Sequence, residues 1–216
     1  MSSRLQRPRE GWAVRACAEP YGFVPSDASV VACEGWLDEL VVWNAKLDLT
    51  AARTGSDAVE LMLADAFVLA QLLPEKASVV DVGTGAGGPA LGLAFLRPDL
   101  SVTLVEPLAK RTSFLRTVLS KTSRTDVRVE RAAGEDLAEK GETFDVALSR
   151  ATLKPPEWLA LGLRLVKPEG LVAVLVSQEP APEADDAMVQ AQRAYTLSHT
   201  GAPRTVLLYR KVAPGA

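Results

Sequence analysis

Two rhythms of apolar residues divide the chain. Over residues 28–46, Val30, Val31, Leu37, Leu40, Val41 and Trp43 recur at helical intervals behind Ser26 or Asp27, either of which suits an N-cap. Residues 57–73 repeat the pattern with Val59, Leu61, Leu63, Phe67, Leu69 and Leu72. From Ser78 onward the rhythm changes to short β-rich runs, at 79–82, 102–105, 127–129, 144–148 and 171–176, with helical stretches between them. Strands alternating with helices predict a parallel sheet covered on both faces. The last two runs, 195–198 and 205–212, flank Gly201-Ala202-Pro203 and read as a hairpin. Residues 1–25, rich in Pro, Gly and Arg, carry neither rhythm and are expected to be loosely held.

Composition narrows the picture. At 216 residues with 48% hydrophobic content the chain suits one compact unit: a tail and helical cap over 1–74, then a sheet domain over 75–216. A second substrate domain has no room. The formal charge of −3 argues against gripping nucleic acid through overall positive charge, and leaves a local basic patch open. Cys17 and Cys33 fit no metal-ligand spacing and are expected to be reduced core thiols; with His199 the single histidine, a zinc site is not expected. The first residues are charged with no apolar stretch behind them, unlike a secretory signal, and the longest aliphatic run, 171–176, is too short to span a bilayer. A soluble, cytoplasmic monomer is the expectation.

The densest chemical signal is Val79-Val80-Asp81-Val82-Gly83-Thr84-Gly85-Ala86-Gly87-Gly88-Pro89. A strand runs into a glycine turn, and proline opens the helix behind it. Glycines let the backbone approach a ligand closely, and the first N–H groups of the helix are expected to form a slightly positive rim. Two cofactor classes use such a turn, because Gly83-x-Gly85-x-x-Gly88 also matches the dinucleotide fingerprint read loosely. Asp81 tips the balance: a carboxylate two residues before the first glycine repels a pyrophosphate and attracts the cationic methionine part of S-adenosylmethionine. A mostly parallel sheet with an antiparallel C-terminal pair is also the arrangement of the class I methyltransferase fold, so topology and turn agree.

Ligands in such sheets lie at the carboxyl ends of the strands. Asp81 ends the first. Glu106 ends the second, about twenty residues past the turn, where a carboxylate accepts from both ribose hydroxyls or simply caps a helix. After the third comes Ala132-Ala133-Gly134-Glu135-Asp136, whose small residues leave room for an adenine ring that Gly134 or Glu135 would hydrogen-bond; a plain capped turn reads equally well. Ser149-Arg150-Ala151 ends the fourth, with Arg150 either over the pocket or on the surface. Lys110, Arg111, Arg116, Lys121, Arg124, Arg128 and Arg131 gather against only Asp126 and Glu130, which marks a candidate phosphate-binding surface or an ordinary solvated face.

With these pieces placed, the chain resembles the bacterial guanine-N7 methyltransferases of small-subunit ribosomal RNA, also called glucose-inhibited division protein B. The matching segments are residues 43–50 (Trp-Asn-Ala-Lys-Leu-Asp-Leu-Thr), the turn 81–89, residues 107–116 with Lys110-Arg111-x-x-Phe114-Leu115-Arg116, and residues 144–151, in the family's order across roughly 35–177. The resemblance implies S-adenosylmethionine as cofactor, held by Asp81, Gly83, Gly85, Gly88, Glu106, Gly134, Glu135 and Arg150. Glu106 takes the place of the family's aspartate or glutamate at the strand's end. It further implies Arg150 orienting donor and base as the catalytic residue, Lys110, Arg111 and Arg116 meeting phosphates, and 16S ribosomal RNA or the small ribosomal subunit as partner. Departures fall on the substrate side: Leu61-Met62 replaces an Arg-His pair, Leu175-Val176-Ser177 replaces Leu-Lys-Gly, and Gly88-Pro89-Ala90 replaces a bulkier residue, proline and glycine. Two rivals stand beside this reading: a relative acting on a small molecule or protein, suggested by the acidic balance and the missing Arg-His pair, and a degenerate fold kept as an interaction module, against which the retained glycine turn with Asp81 and Glu106 argues.

Overall fold

The computed structural model describes residues 5–212. Helix α1 (Val14–Ala18) and a single 3-10 turn (Glu19–Tyr21) lead into α2 (Asp27–Leu47) and α3 (Gly55–Leu69). Then follow β1 (Ser78–Val82), α4 (Ala90–Leu96), β2 (Ser101–Val105), α5 (Ala109–Lys121), β3 (Arg128–Glu130), α6 (Gly134–Glu139), β4 (Phe144–Ser149), α7 (Pro155–Leu165), β5 (Val166–Val176), β6 (Ala187–Thr196) and β7 (Pro203–Lys211). One sheet holds all seven strands in the order β3-β2-β1-β4-β5-β7-β6, parallel from β3 through β5. The antiparallel β7 and β6 close it. After β3 the chain crosses back to the other side of β1, so a crevice opens at the carboxyl ends of β1 and β4.

Alternation along each strand feeds two layers. Val79, Val102, Leu104, Val146 and Leu148 pack with α2, α3, α4 and α5 on one face. Val80, Val82, Val105, Ala147 and Val174 pack with α6 and α7 on the other. Asp81 is in step with Val79, so its side chain enters the α3–α4 side. Caps set the helix starts: Ser26 accepts from the Ser29 N–H at 3.1 Å, and Thr54 with Asp57 forms a reciprocal capping box.

Three expectations need correction. Among the described residues of the N-terminal segment, Leu5, Trp12, Val14, Ala18 and Tyr21 are buried in the same core as the sheet, and the Trp12 indole N–H donates to Asp38 at 2.8 Å. That segment is therefore packed; residues 1–4 of the expected loose tail lie outside the described part. Strand β5 begins at Val166 rather than 171, because the pairing with β4 continues past an irregularity between Phe144 and Val146. Strand β6 begins at Ala187, well before 195; its side chains are largely exposed, so no hydrophobic alternation marked it.

Candidate active site

Around the glycine turn the structure gathers most of the residues singled out from the sequence. Asp81 is 1% exposed, and neither of its oxygens has a hydrogen-bond partner; the Thr84 hydroxyl is equally unpartnered. Burial pushes the Asp81 carboxyl up to about 7, while the Thr84 hydroxyl, the Arg150 charge and the Ala90 N–H pull it down without closing a hydrogen bond. A buried carboxyl lacking a donor is rare, and costs free energy until its own proton or a cationic ligand satisfies it.

The turn itself is fixed by its surroundings. Gly83 takes φ of 71°, and a Cβ there would stand 2.3 Å from Thr152 Oγ1, so glycine is required twice over. The N–H groups of Gly83 and Thr84 donate to Val105 O at 2.9 and 3.1 Å, that of Gly85 to Glu106 Oε2 at 3.0 Å, and that of Gly87 to Thr84 O at 2.8 Å. The turn's own N–H groups are thus spent on holding its shape against the end of β2. Helix α2 braces it from behind through the Trp36 indole N–H, which donates to Ala86 O at 3.0 Å.

Glu106 sits one residue beyond β2 with a side chain 2% exposed. Its Oε1 accepts from Leu108 N–H and its Oε2 from Gly85 N–H, both at 3.0 Å, which ties the glycine turn to the start of α5. Each oxygen keeps a further lone pair. Arg111 stands 3.8 Å from Glu106 Oε2, turned toward this site. Gly134 opens α6; a Cβ there would lie 2.6 Å from Val82 Cγ1, so its small size lets the helix start reach the end of β1. Glu135 is exposed on the first turn of α6, where Asp136 provides the cap through the Ala133 N–H at 2.9 Å.

Past β4 the segment 149–152 folds over the turn: Ser149 Oγ and Thr152 Oγ1 both donate to Val82 O, at 2.7 and 3.2 Å. Arg150 is neither free over the pocket nor on the surface. It reaches back to α3, donating to Leu61 O and pairing with Asp65 Oδ2 at 3.1 Å, while Tyr195 donates to Asp65 Oδ1 at 2.7 Å. A Cβ on Gly88 would lie 3.0 Å from Arg150 Nη2, which places the guanidinium against the turn. Sequence reasoning missed Asp65, Tyr195 and Thr152, whose partners are remote along the chain.

The basic cluster divides. Lys121 pairs with Glu39, Arg124 with Asp126 at 2.8 Å, and Arg128 with Glu130 and Glu142. Lys110, Arg116 and Arg131 are exposed and have no acidic partner within ion-pair distance among the described residues; Arg116 and Arg131 touch only the carbonyls of Val129 and Pro107. Beside Thr152 opens a cleft of about 940 Å³ lined by prolines, Lys154, Glu157, Glu179 and Glu183. Among the described residues no group of three or more His, Cys, Asp or Glu is placed to hold a metal ion. Nor is any described helix long and apolar enough to cross a membrane.

Solved structures sharing this arrangement include the O-methyltransferase from Bacillus cereus in complex with SAH, at TM-score 0.61 and 16% identity, covering 87% of this chain and 93% of that one. M. jannaschii TYW2 in complex with AdoMet follows at TM-score 0.53 and 14% identity, covering 69% and 75%. Identities this low speak to the fold. Sequence relatives carry more: the "Ribosomal RNA small subunit methyltransferase G" of Sorangium cellulosum is 34% identical over 214 residues, covering 94% of this chain and 88% of the relative. Its namesakes from Chloroflexus aggregans (33% identical, 90% and 87% covered) and Myxococcus xanthus (32%, 81% and 85%) match similarly. The family profile for rRNA small subunit methyltransferase G, GidB, matches residues 31–206, from within α2 to within β7. The chain, with its class I sheet and braced glycine turn, therefore belongs to the rRNA small subunit methyltransferase G family.

Proposed function

We propose that this protein transfers the methyl group of S-adenosylmethionine to guanine N7 in small-subunit ribosomal RNA. The observation that carries the donor half is the buried Asp81 carboxyl, with both oxygens unpartnered beside an unpartnered Thr84 hydroxyl at the base of the turn. Bound there, S-adenosylmethionine supplies an electrophilic methyl on a cationic sulfur. A pyrophosphate suits the turn poorly, since the N–H groups of Gly83, Thr84, Gly85 and Gly87 are engaged and two carboxyls flank it.

The residues then take distinct parts. Asp81 meets the positive part of the donor, and the spare lone pairs of Glu106 accept from ribose hydroxyls. Gly83, Gly85 and Gly88 admit the ligand, Gly134 lets α6 close against it, and Glu135 stands at the α6 rim toward the adenine edge. Arg150 orients donor and base from across Gly88. Guanine N7 already carries an in-plane lone pair, so alignment rather than proton removal is the task. Lys110 and Arg116, joined by Arg131, are the cations free to meet phosphates, whereas Arg111 leans toward Glu106.

Calorimetry with the donor, followed by methyl transfer to small subunits lacking the modification, tests the reading. Donor binding without labelled RNA would refute the substrate half. A second reading, a smaller acceptor, is favoured by the cleft past β4, where Glu157, Glu179 and Glu183 outnumber Lys154. A charge-neutral small substrate keeps its affinity as salt rises, whereas an RNA loses it.

A further inference from the structure

Arg150 owes its orientation to parts of the chain 85 or more residues away. One guanidinium nitrogen, Nη1, is spent on Leu61 O and Asp65 Oδ2. Nη2 lies beside Gly88 and makes no hydrogen bond to the described residues, and the side chain is 18% exposed. Asp65 is nearly sealed, and its second oxygen is filled by the Tyr195 hydroxyl. Tyr195 comes from β6, beyond the parallel sheet, and its ring is held edge-on to Tyr21 at 5.9 Å. One carboxylate therefore joins α3, the end of β4 and the last hairpin.

A long arginine side chain loses rotamer freedom when it engages a ligand, and a guanidinium already pinned along one edge has less to lose. We propose that Asp65, itself oriented by Tyr195, is a positioning residue for Arg150, fixing the guanidinium so that its Nη2 edge faces the donor at the glycine turn. This rests on the functional reading above. The same helix supplies its own comparison: Glu60, also buried, accepts from the backbone N–H groups of His199 and Thr200 and pairs with no cation among the described residues. Glu60 holds the hairpin; Asp65 holds a functional side chain.

The test is a double-mutant cycle read as donor affinity by calorimetry, with thermal unfolding measured on every variant. Arg150→Gln is expected to weaken donor binding about thirty-fold, Asp65→Asn about ten-fold and Tyr195→Phe about three-fold. If Asp65 acts through Arg150, the Asp65→Asn, Arg150→Gln pair binds no more weakly than Arg150→Gln alone, and Glu60→Gln lowers the melting temperature with donor affinity unchanged. Multiplying losses, on the order of three-hundred-fold for the pair, would mean that Asp65 supports the fold alone and would overturn the proposal. So would tighter donor binding by Asp65→Asn, which would show the pair restraining Arg150 away from the ligand. Should Asp65→Asn not fold, the cycle of Tyr195→Phe with Arg150→Gln reads the same coupling. Absence of donor binding by the unaltered protein sinks the functional reading as well, whereas binding with multiplying losses sinks this inference only.

Discussion

Asp81 carries the sharpest conflict between stability and function in the molecule. Burial raises its carboxyl from 3.8 to about 7, so the folded chain holds a proton that the unfolded chain has released. The stability this contributes is full below the unfolded value and is lost as pH rises through about 7. Asp81→Asn should thus melt higher than the unaltered protein at pH 8, by about 1 to 3 kcal/mol in unfolding free energy, and bind the donor far more weakly. A cationic donor would also pull the proton off Asp81, so affinity should rise between pH 6 and about 8. Calorimetry near pH 6.5 in buffers of different ionisation enthalpy should record a fraction of a proton released per donor bound; a buffer-independent heat would contradict this. Gly134→Ala is expected to cost about 1 to 3 kcal/mol through the clash with Val82, seen as a lower denaturation midpoint. Asp81 and Glu106 were legible because each stands at a fixed step from a strand end. Asp65 and Tyr195 were not, since they meet Arg150 and each other across 85 and 130 residues and no local pattern encodes such a meeting.

At the scale of elements, α2 matters more to the site than its distance in sequence from the glycine turn implies. Its apolar spacing predicted a helix, and a helix is present from Asp27 to Leu47. What spacing did not disclose is that Trp36 donates to Ala86 O, making α2 a brace for the turn rather than a separate cap. Trp36→Phe leaves that carbonyl without its partner and should cost about 1 kcal/mol of stability with a several-fold weaker donor Kd. Stability loss with an unchanged Kd would show that the brace does not reach the ligand. Trp43 and Asn44, in the segment that carried the family resemblance, have visible physical tasks: Trp43 packs edge-on to Phe114 of α5 at 5.8 Å, and Asn44 Oδ1 accepts from Thr50 N–H at 2.9 Å beyond the helix end. Strand β6 escaped detection because Met188, Val189 and Gln192 are exposed and its inward face is only half-buried and includes Ala191 and Arg193, so no apolar period of two marks it.

Across the whole molecule, charge is arranged by folding rather than by composition. A chain of net charge −3 still leaves Lys110, Arg116 and Arg131 exposed without an acidic partner among the described residues, whereas Lys121, Arg124 and Arg128 are taken by nearby acids. Substituting Lys110 or Arg116 by Gln should weaken RNA binding and flatten the dependence of log K on log salt by roughly 0.7 per cation, while donor affinity holds. Arg124→Gln should leave that slope alone; an equal effect would mean the ion pair opens on binding. The periodicities by themselves determined α2, α3 and the run of parallel strands, and so which acids end β1 and β2, since each follows from local backbone geometry and the need to bury apolar faces. Tertiary structure alone decided that the glycine turn spends its N–H groups on Val105, Glu106 and Thr84, that Arg150 is held by an Asp65 itself bonded by Tyr195, and which cations stay free. Those outcomes depend on which distant segments share a layer, and that is fixed only when the sheet closes its order and the helices pack against it.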